Sequence, residues 1–307
     1  MYKTKTIIAA AICSLLAFTQ ANAQEGSFLG EMRGMNHKQK GHAYQGMDVW
    51  NDYVFSCQNQ GIGTIYRLTG DGFDTISQFK LASFNPVNHA NVASFGIEKI
   101  CKDDPFPVVY ISHCHRKPID GKKDLLFVER ISPDMKSSSL VQTIFYNDVN
   151  KDFGYALQWV IDRKNKLLYG YGNTIDNTNT ANRHRVIKFR LPKLSDREFI
   201  TLNPEDALEN YVIEEVSGFK FNPIGQGLFV SRDKLYMPTG FGTEKAPSIL
   251  YIWDLKKKAM EVVDLSKETK GELEDISVIS KNSIIYNKDS KTTLLLQSQD
   301  GLFTVTL

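Results

Sequence analysis

The sequence repeats one order of strands and turns, and this repetition constrains the fold more than any other feature. Residues 45–81 contain four short apolar runs, QGMDVW, YVFSCQ, GTIYRL and TISQFKL, and residues 226–265 repeat them as QGLFVS, KLYMPTG, SILYIWDL and AMEVVDL. Runs rich in Val, Ile, Tyr and Phe predict strands, and the Gly, Asn and Asp residues between them predict turns. A single four-stranded meander cannot cover both faces of its own sheet, so several copies must bury one another's faces.

Further copies begin at His89 and Tyr155, and a less regular one begins near Leu273. The first and last intervals between repeat starts are close to the roughly 40–50 residues of a propeller blade, and the two middle intervals carry insertions. We therefore predict an all-β fold, a β-propeller of four-stranded antiparallel blades. Five blades are expected, or six if an insertion hides one. A strand near residues 27–34 is expected to complete the last blade.

Two of the repeats are entered through related segments, FNPVNHANVASF at 84–95 and FNPIGQGLFVSR at 221–232. Proline ends strand pairing and favours an extended residue before it, so Phe-Asn-Pro should end the outer part of one blade before the chain turns inward. A small residue then starts each inner strand, at Gly46, Ala90, Ala156 and Gly227. Small residues suit a ring axis where backbones approach closely.

Polar side chains precede that small residue or follow it on the same strands. This alignment predicts a ring of ligand-binding residues at one mouth of the central channel: Gln45, Asp48, His89, Asn91, Tyr155, Gln158 and Gln226. Glu274 and Asp275 of the least regular repeat are further candidates. Two interpretations stay open, namely a ligand site on the axis and a narrow channel whose polar groups and ordered water satisfy inward-facing backbone.

The segment YISHCHRKP offers the best metal-ligand fragment, with His113 and His115 two residues apart and either His89 or Cys57 as a further ligand from elsewhere in the chain. Zinc needs three or four such ligands, and no established metal motif accompanies them. We expect no metal and no cofactor. A strand end with a buried Cys114 and polar loop histidines explains the same residues.

Three cysteines follow the N-terminal apolar segment: Cys57, Cys101 and Cys114. One disulfide with one buried thiol, and three buried thiols, both fit this odd number. Cys57 lies mid-strand, where cysteine is a small core residue, and no nucleophile motif occurs, so no catalytic residue is assigned.

Two other segments carry specific expectations. The sequence NPEDALENYV at 203–212 is the best short helix, since Pro204 and acidic residues occupy its first turn. The polar segment 173–184 predicts a surface loop and is a candidate for ligand contact.

Residues 1–23 have the pattern of a secretory signal peptide, with Lys3 and Lys5 before an apolar run and an Ala-x-Ala site ending at Ala23. Cleavage there predicts a periplasmic or secreted protein. Residues 24–40 would then form an N-terminal segment and 41–307 a single propeller domain.

The formal net charge of +2 falls near zero when the two lysines of the signal peptide are removed, and a chain without excess positive charge is not expected to bind nucleic acid. We expect no membrane insertion, a monomer, and a small-molecule, glycan or peptide ligand, with a protein partner as a further option.

Over about residues 40–307 the chain resembles the secreted TolB-like β-propeller proteins of Gram-negative bacteria. The resemblance lies in the spacing of the repeats and in the Gln-Gly pairs that begin two of the inner strands. The stretch beginning Tyr44-Gln45-Gly46-Met47 also resembles the first blade of bacterial glutaminyl-peptide cyclotransferases, which are five-bladed propellers with a Thr-Gln-Gly-Leu entry. That family's glutamate in the following strand has no counterpart here, where Ser56 and Cys57 occupy the region. The resemblance therefore transfers no catalytic role.

Together these features predict an exported β-propeller that binds a glycan or peptide-like ligand at the channel mouth. The alternatives are an enzyme using the same pocket, either cyclotransferase-like or a sugar-directed lyase or hydrolase, and a protein-interaction platform. Aromatic side chains at an open mouth would favour glycan binding, and a carboxyl or histidine with a shifted pKa beside the pocket would favour the enzyme.

Overall fold

Five blades form a closed ring, as the sequence predicted, and the six-bladed alternative is wrong. The computed structural model describes residues 19–23, 25–32, 43–114, 117–221, 225–289 and 292–307. Each blade is a four-stranded antiparallel sheet, and two blades carry a fifth, parallel strand at their outer edge. The inner strands of successive blades contact each other around the ring, and the last contacts the first.

Two strands precede the first blade in the chain, and each lies at the outer edge of a later blade. These are β1 (Thr19–Asn22) and β2 (Glu25–Gly30). The first blade then consists of β3 (Tyr44–Trp50), β4 (Tyr53–Gln58), β5 (Ile62–Leu68) and β6 (Phe73–Lys80).

The second blade receives one additional strand from the chain segment that builds the third blade. The second contains β7 (Val92–Phe95), β8 (Val109–Ser112), β9 (Leu126–Ile131) and β10 (Ser138–Tyr146). The third contains β11 (Tyr155–Asp162), β12 (Leu167–Asn173), β13 (His184–Arg190) and β15 (Glu209–Val212). The strand β14 (Phe199–Leu202) lies between β13 and β15 in the chain, but it pairs in parallel with β10 of the second blade. The insertion at this point therefore fastens two blades together.

The fourth and fifth blades complete the ring. The fourth contains β16 (Phe229–Ser231), β17 (Lys234–Thr239), β18 (Ile249–Asp254) and β19 (Ala259–Asp264), with β1 parallel to β19. The fifth contains β20 (Leu273–Val278), β21 (Thr293–Ser298) and β22 (Gly301–Thr306). Its outer strand is β2, which pairs antiparallel with β22. Strands from both ends of the chain thus share one sheet.

Among the described residues the hydrophobic core forms six clusters. Five of them lie between neighbouring blades, and a small sixth, around Phe127, lies at the second blade. Between the second and third blades, for example, Trp159 packs with Tyr146 and Phe189 at ring-centroid distances of 6.3 and 6.1 Å. Between the first and second, Phe95 packs on Phe55 and Phe106. Burial of apolar area between the sheets is the main force that holds such a ring together.

Small residues start the inner strands, and at two of these positions the structure shows why. At Gly46 an added Cβ would lie 2.5 Å from the backbone of Val92 and Ala93, and at Gly227 it would lie 2.0 Å from the Asp275 carboxylate. At the equivalent positions Ala90 and Ala156 the backbone is left-handed, with φ of +48° and +58°, a conformation that is strained for any residue other than glycine. Crowding at the axis thus explains the two glycines.

Two buried aspartates tie the blades together on the axis. Asp275 accepts backbone N–H bonds from Met47 at 2.7 Å and Leu228 at 3.0 Å, with Ala93 at 3.5 Å. These bonds join the fifth blade to the first, the fourth and the second, and they close the channel below its mouth. Burial raises the pKa of Asp275 well above its usual range, and the backbone hydrogen bonds oppose that rise.

Asp48 is the second of these aspartates, and it lies nearer the mouth of the channel where the inner strands end. It accepts hydrogen bonds from the Phe95 N–H at 2.7 Å and from the Ser277 hydroxyl at 2.8 Å, and Arg163 approaches it at 3.3 Å. Four blades therefore meet at this carboxylate. Its contacts are those of a structural group.

The helix predicted at 203–212 is wrong. Only a single 3₁₀ turn forms, at Pro204–Asp206, with the capping box that Asn203 and Asp206 provide. The chain then becomes β15, because Glu209–Val212 finds the open edge of β13. One turn of helix, α1 (Ile213–Ser217), follows and ends at Gly218 in the left-handed conformation. Pairing with a sheet edge outweighed the local helix signal.

The three cysteines differ from both expectations. Cys57, Cys101 and Cys114 are free thiols, and Cys101 is exposed while the other two are buried. Burial raises the pKa of both Cys57 and Cys114, so these thiols are protonated and unreactive at neutral pH.

The predicted leader lies mostly outside the described residues. Its last part forms β1 at the edge of the fourth blade, and cleavage after Ala23 would remove that strand. Cleavage and export stay predictions. Within the described residues, no helix has the length and apolarity needed to span a membrane.

Candidate functional site: a polar pocket at one mouth of the axis

A cavity of about 210 Å³ opens at the mouth where the inner strands begin. All five blades contribute to it, since each inner strand starts there. Its lining residues are Gln45, His89, Asn91, Cys114, Tyr155, Ala156, Gln158, Tyr171, Asn173, Asn177, His184, Gly225, Gln226, Phe241, Glu272 and Glu274. The hydrogen bonds to Asp275 lie beneath it, so the pocket is a blind cavity and not an open channel.

The structure brings together most of the residues that the repeat alignment selected. Gln45, His89, Asn91, Tyr155, Gln158 and Gln226 all line this pocket. Asp48 does not line the pocket, because its carboxylate is hydrogen-bonded to Phe95 and Ser277 farther along the axis. Of the two further candidates, Glu274 lines the pocket and Asp275 lies beneath it. Ligand binding by these residues stays a prediction.

The histidines of the proposed metal fragment are used differently. His113 is fully buried, its Nδ1 accepts the backbone N–H of His89 at 3.1 Å, and its Nε2 donates to the Lys117 carbonyl at 3.0 Å. Both ring nitrogens are thus occupied by structural hydrogen bonds. His89 lines the pocket with its Nδ1 2.7 Å from the Asn59 side-chain oxygen, and His115 lies outside the described residues. In the described part of the chain, no three His, Cys, Asp or Glu side chains gather as a metal site would require.

A second histidine, which the sequence did not single out, is fixed at the pocket wall. The His184 Nδ1 lies 2.7 Å from a carboxylate oxygen of Glu214, and its own backbone N–H donates to the same carboxylate at 2.9 Å. The imidazole lies between the rings of Tyr171, at 5.8 Å with an 11° interplanar angle, and Phe221, at 4.4 Å. The carboxylate fixes a proton on Nδ1, so the other ring nitrogen, Nε2, is the one that lines the pocket.

Two glutamates of the fifth blade form another part of the wall. Glu272 accepts a hydrogen bond from the Gln226 amide at 2.8 Å, and Glu274 accepts one from the Gln299 amide at 2.5 Å. Burial raises the pKa of Glu272, and it raises that of Glu274 further, with the negative charge of Glu272 adding to the rise. A buried acid without a nearby cation holds its proton more tightly.

Several buried polar atoms at this pocket have no hydrogen-bond partner among the described residues. They are both side-chain atoms of Asn91, the Gln158 Oε1, the Tyr171 hydroxyl and the His184 Nε2. Each of these four residues is at most 5% exposed. Buried polar groups in native proteins are nearly always satisfied by protein, water or ligand, so their concentration in one cavity marks it as a place where polar atoms bind.

Sequence analysis missed His184 and Tyr171 for an identifiable reason. Both come from β12 and β13, the middle strands of the third blade, and the alignment used only inner strands. One signal was present: the polar segment 173–184, expected to be a surface loop, supplies Asn173, Asn177 and His184 to the pocket. Glu214 carried no local signal, because its role depends on contact with a strand that lies 30 residues earlier.

Comparison with known proteins supports the fold and leaves the specificity open. No protein-family model matches the chain, and no curated protein matches it. The structure is similar to the "Tail fiber of Staphylococcus aureus phage P68", with a TM-score of 0.54 and 14% identity over 92% of this chain and 52% of that one. It also matches Saccharomyces cerevisiae Sqt1 with a TM-score of 0.36 and 9% identity over 92% of this chain and 58% of Sqt1, a likeness too low to support an argument.

This chain therefore spans about half the length of those two proteins. At such low identity the likeness shows the fold alone. Fold and site together define a five-bladed β-propeller with a blind polar pocket on its axis. Membership of the TolB-like proteins stays a prediction.

Proposed function

We propose that the protein is an exported binding protein whose axial pocket holds the terminal residue of a glycan. The observation that carries this proposal is the set of unpartnered buried atoms on Asn91, Gln158, Tyr171 and His184, which share one cavity. A sugar ring presents hydroxyl groups in several directions, and each hydroxyl both donates and accepts. Such a ligand can satisfy polar atoms that come from different blades.

The shape of the pocket supports a small ligand. Its volume of about 210 Å³ is below the roughly 300–1,000 Å³ of sites that enclose drug-sized molecules. The pocket therefore fits one residue at the end of a longer chain. Tyr155, Tyr171 and Phe241 supply aromatic surface, and Phe241 is 40% exposed, where it can contact the next residue of the glycan.

A glycan and peptide array tests this proposal with the wild-type protein and two variants. Asn91→Ala removes two of the unpartnered atoms, and we expect about a tenfold loss of affinity, the equivalent of one to two hydrogen bonds. Asn165→Ala is the matched control, because Asn165 lies in the turn between β11 and β12, at the ends of these strands that face away from the pocket, and its side chain contacts Asp162 and Asp233 there. Binding of free peptides and no glycans, or equal signals from wild type and Asn91→Ala, would contradict the proposal.

A second candidate function is catalysis on the same ligand, and the His184–Glu214 pair favours it. A histidine oriented by a carboxylate, with its other nitrogen facing a pocket, is the arrangement of a general base. The neighbouring Glu272 and Glu274, whose pKa values are raised by burial, are suited to hold a proton for a leaving group.

This candidate is tested by incubating any glycan that binds on the array with the protein and analysing the products by mass spectrometry. An enzyme would convert the wild-type sample, and His184→Asn would abolish conversion while the glycan still binds. An unchanged glycan in the wild-type sample would leave binding as the function.

A further inference from the structure

The wall that the fifth blade contributes to the pocket consists of acceptor groups. The carboxyl groups of Glu272 and Glu274 accept hydrogen bonds from glutamine amides, and the unpartnered Gln158 Oε1 is a further acceptor, whereas the unpartnered Asn91 amide and Tyr171 hydroxyl have hydrogens to donate. The Gln158 amide is already bonded to the Gln226 carbonyl at 2.6 Å, so the orientation of its oxygen toward the cavity is fixed. A ligand that binds the acceptor groups of the fifth blade must present donors to them.

The pocket also has acidic side chains with no basic side chain of Lys or Arg to pair with them among its described lining residues. These are the carboxyl groups of Glu272 and Glu274. Each glutamate is bonded through one oxygen to a neutral glutamine amide, from Gln226 or Gln299, and neither has a salt-bridge partner among the ion pairs of the described residues. Burial favours the protonated forms of these two acids, and a ligand cation beside them would supply the opposite charge that favours the ionised carboxylates.

We propose that the pocket is specific for an amino sugar, a hexosamine residue with a free ammonium group that binds beside Glu272 and Glu274. This inference rests on the proposed glycan binding and specifies its ligand. An ammonium group has three donors and no acceptor, which matches the acceptor groups on the fifth blade. The ring hydroxyls of the same residue then reach Asn91, Gln158 and His184 on the second and third blades.

The distribution of the unpartnered atoms favours an amino sugar over the other common source of a primary ammonium, a peptide N-terminus. A peptide end has its donors along one backbone direction. The unpartnered atoms lie on two different blades, and the glutamates lie on a third. Hydroxyl groups arranged around a ring can address all three from one compact residue, whereas a peptide end without polar side chains presents its ammonium group and one or two backbone groups.

The test measures dissociation constants by isothermal titration calorimetry at about pH 7, where an amine of this class is largely protonated. The probes are glucosamine, galactosamine and mannosamine, each with its parent hexose and its N-acetyl derivative, together with glycylglycine. We expect at least one hexosamine to bind about tenfold or more tightly than its hexose and its N-acetyl form. The ratio should fall to near one in Glu272→Gln and Glu274→Gln, whose folding is verified by thermal melting.

The outcomes separate this inference from the proposed function. Equal affinity for hexosamine and hexose would overturn the amino-sugar specificity and leave sugar binding in place. Tighter binding of glycylglycine than of every sugar would overturn both. No detectable binding of any sugar would also overturn both. A hexosamine preference that persists in both glutamine variants would refute the role of the two glutamates.

Discussion

The hydrogen bonds of Asp275 hold the blades together at the axis, and Asp275→Ala tests how much stability they provide. In the structure one carboxylate accepts N–H bonds from three other blades, at Met47, Leu228 and Ala93. The substitution removes both oxygens and leaves these backbone donors in a fully buried site. Backbone N–H groups left unsatisfied in the interior are rare because they are costly.

The expected loss follows from the number of donors and their geometry. The bonds from Met47 and Leu228 are short, at 2.7 and 3.0 Å, and that from Ala93 is long, at 3.5 Å. The Ile276 N–H also donates to this carboxylate, at 2.9 Å, from the same strand. An unsatisfied buried donor costs roughly 1–3 kcal/mol, so the two short bonds and one long bond from the other blades alone give about 3–6 kcal/mol. Removing a buried carboxyl whose pKa is raised by burial recovers part of this, which places the net loss near 3 kcal/mol. Such a loss is a large fraction of the roughly 5–15 kcal/mol that stabilises a typical domain.

Urea unfolding, followed by tryptophan fluorescence and by circular dichroism, gives the free energy of unfolding of both proteins. Asp134→Ala is the matched control, since this exposed aspartate bonds to Ser132 and Lys136 in its own turn and, in the described part of the chain, to no other blade. The control should lose less than about 1 kcal/mol. If Asp275→Ala loses no more than the control, the axial hydrogen bonds do not stabilise the ring and the reasoning is wrong.

Three further predictions concern other parts of the structure. Gly227→Ala should destabilise the protein by roughly 1–3 kcal/mol, because the new Cβ would lie 2.0 Å from a carboxylate oxygen of Asp275; a thermal melt unchanged from wild type would contradict this. Glu274 has a raised pKa in the folded state, so the folded protein binds its proton more tightly. The unfolding free energy should therefore fall as the pH rises above about 4.3, the unfolded value, and Glu274→Gln should reduce that slope, whereas an unchanged slope would contradict the assignment. A thiol reagent should modify Cys101 rapidly and the two buried cysteines only after unfolding, and fast labelling of more than one thiol in the folded chain would show that the core opens.

The sequence by itself determined the repeating architecture of this protein. Each strand run carries its own period-two pattern and its own turn residues, and these local signals are independent of the rest of the chain. They located the strands of the first blade closely, as in YVFSCQ, which is β4 without any shift of its ends, and less closely in the fourth, where QGLFVS becomes a strand only from Phe229. Aligning the repeats then selected residues such as Gln45 and Gln226, because equivalent positions in a radial array must meet at the axis.

Only the tertiary structure decided which residues line the pocket and which hold neighbouring blades together by hydrogen bonds. Asp48 has the same sequence signature as the residues at the mouth, yet its depth along the axis places it among backbone donors of other blades. His184 and Glu214 become a pair only when a middle strand meets a one-turn helix, and β14 leaves its own blade to pair with the one before it. These outcomes depend on distances between segments remote in the chain. A linear pattern fixes which face of a strand a side chain occupies, but not which partner from another blade lies opposite it.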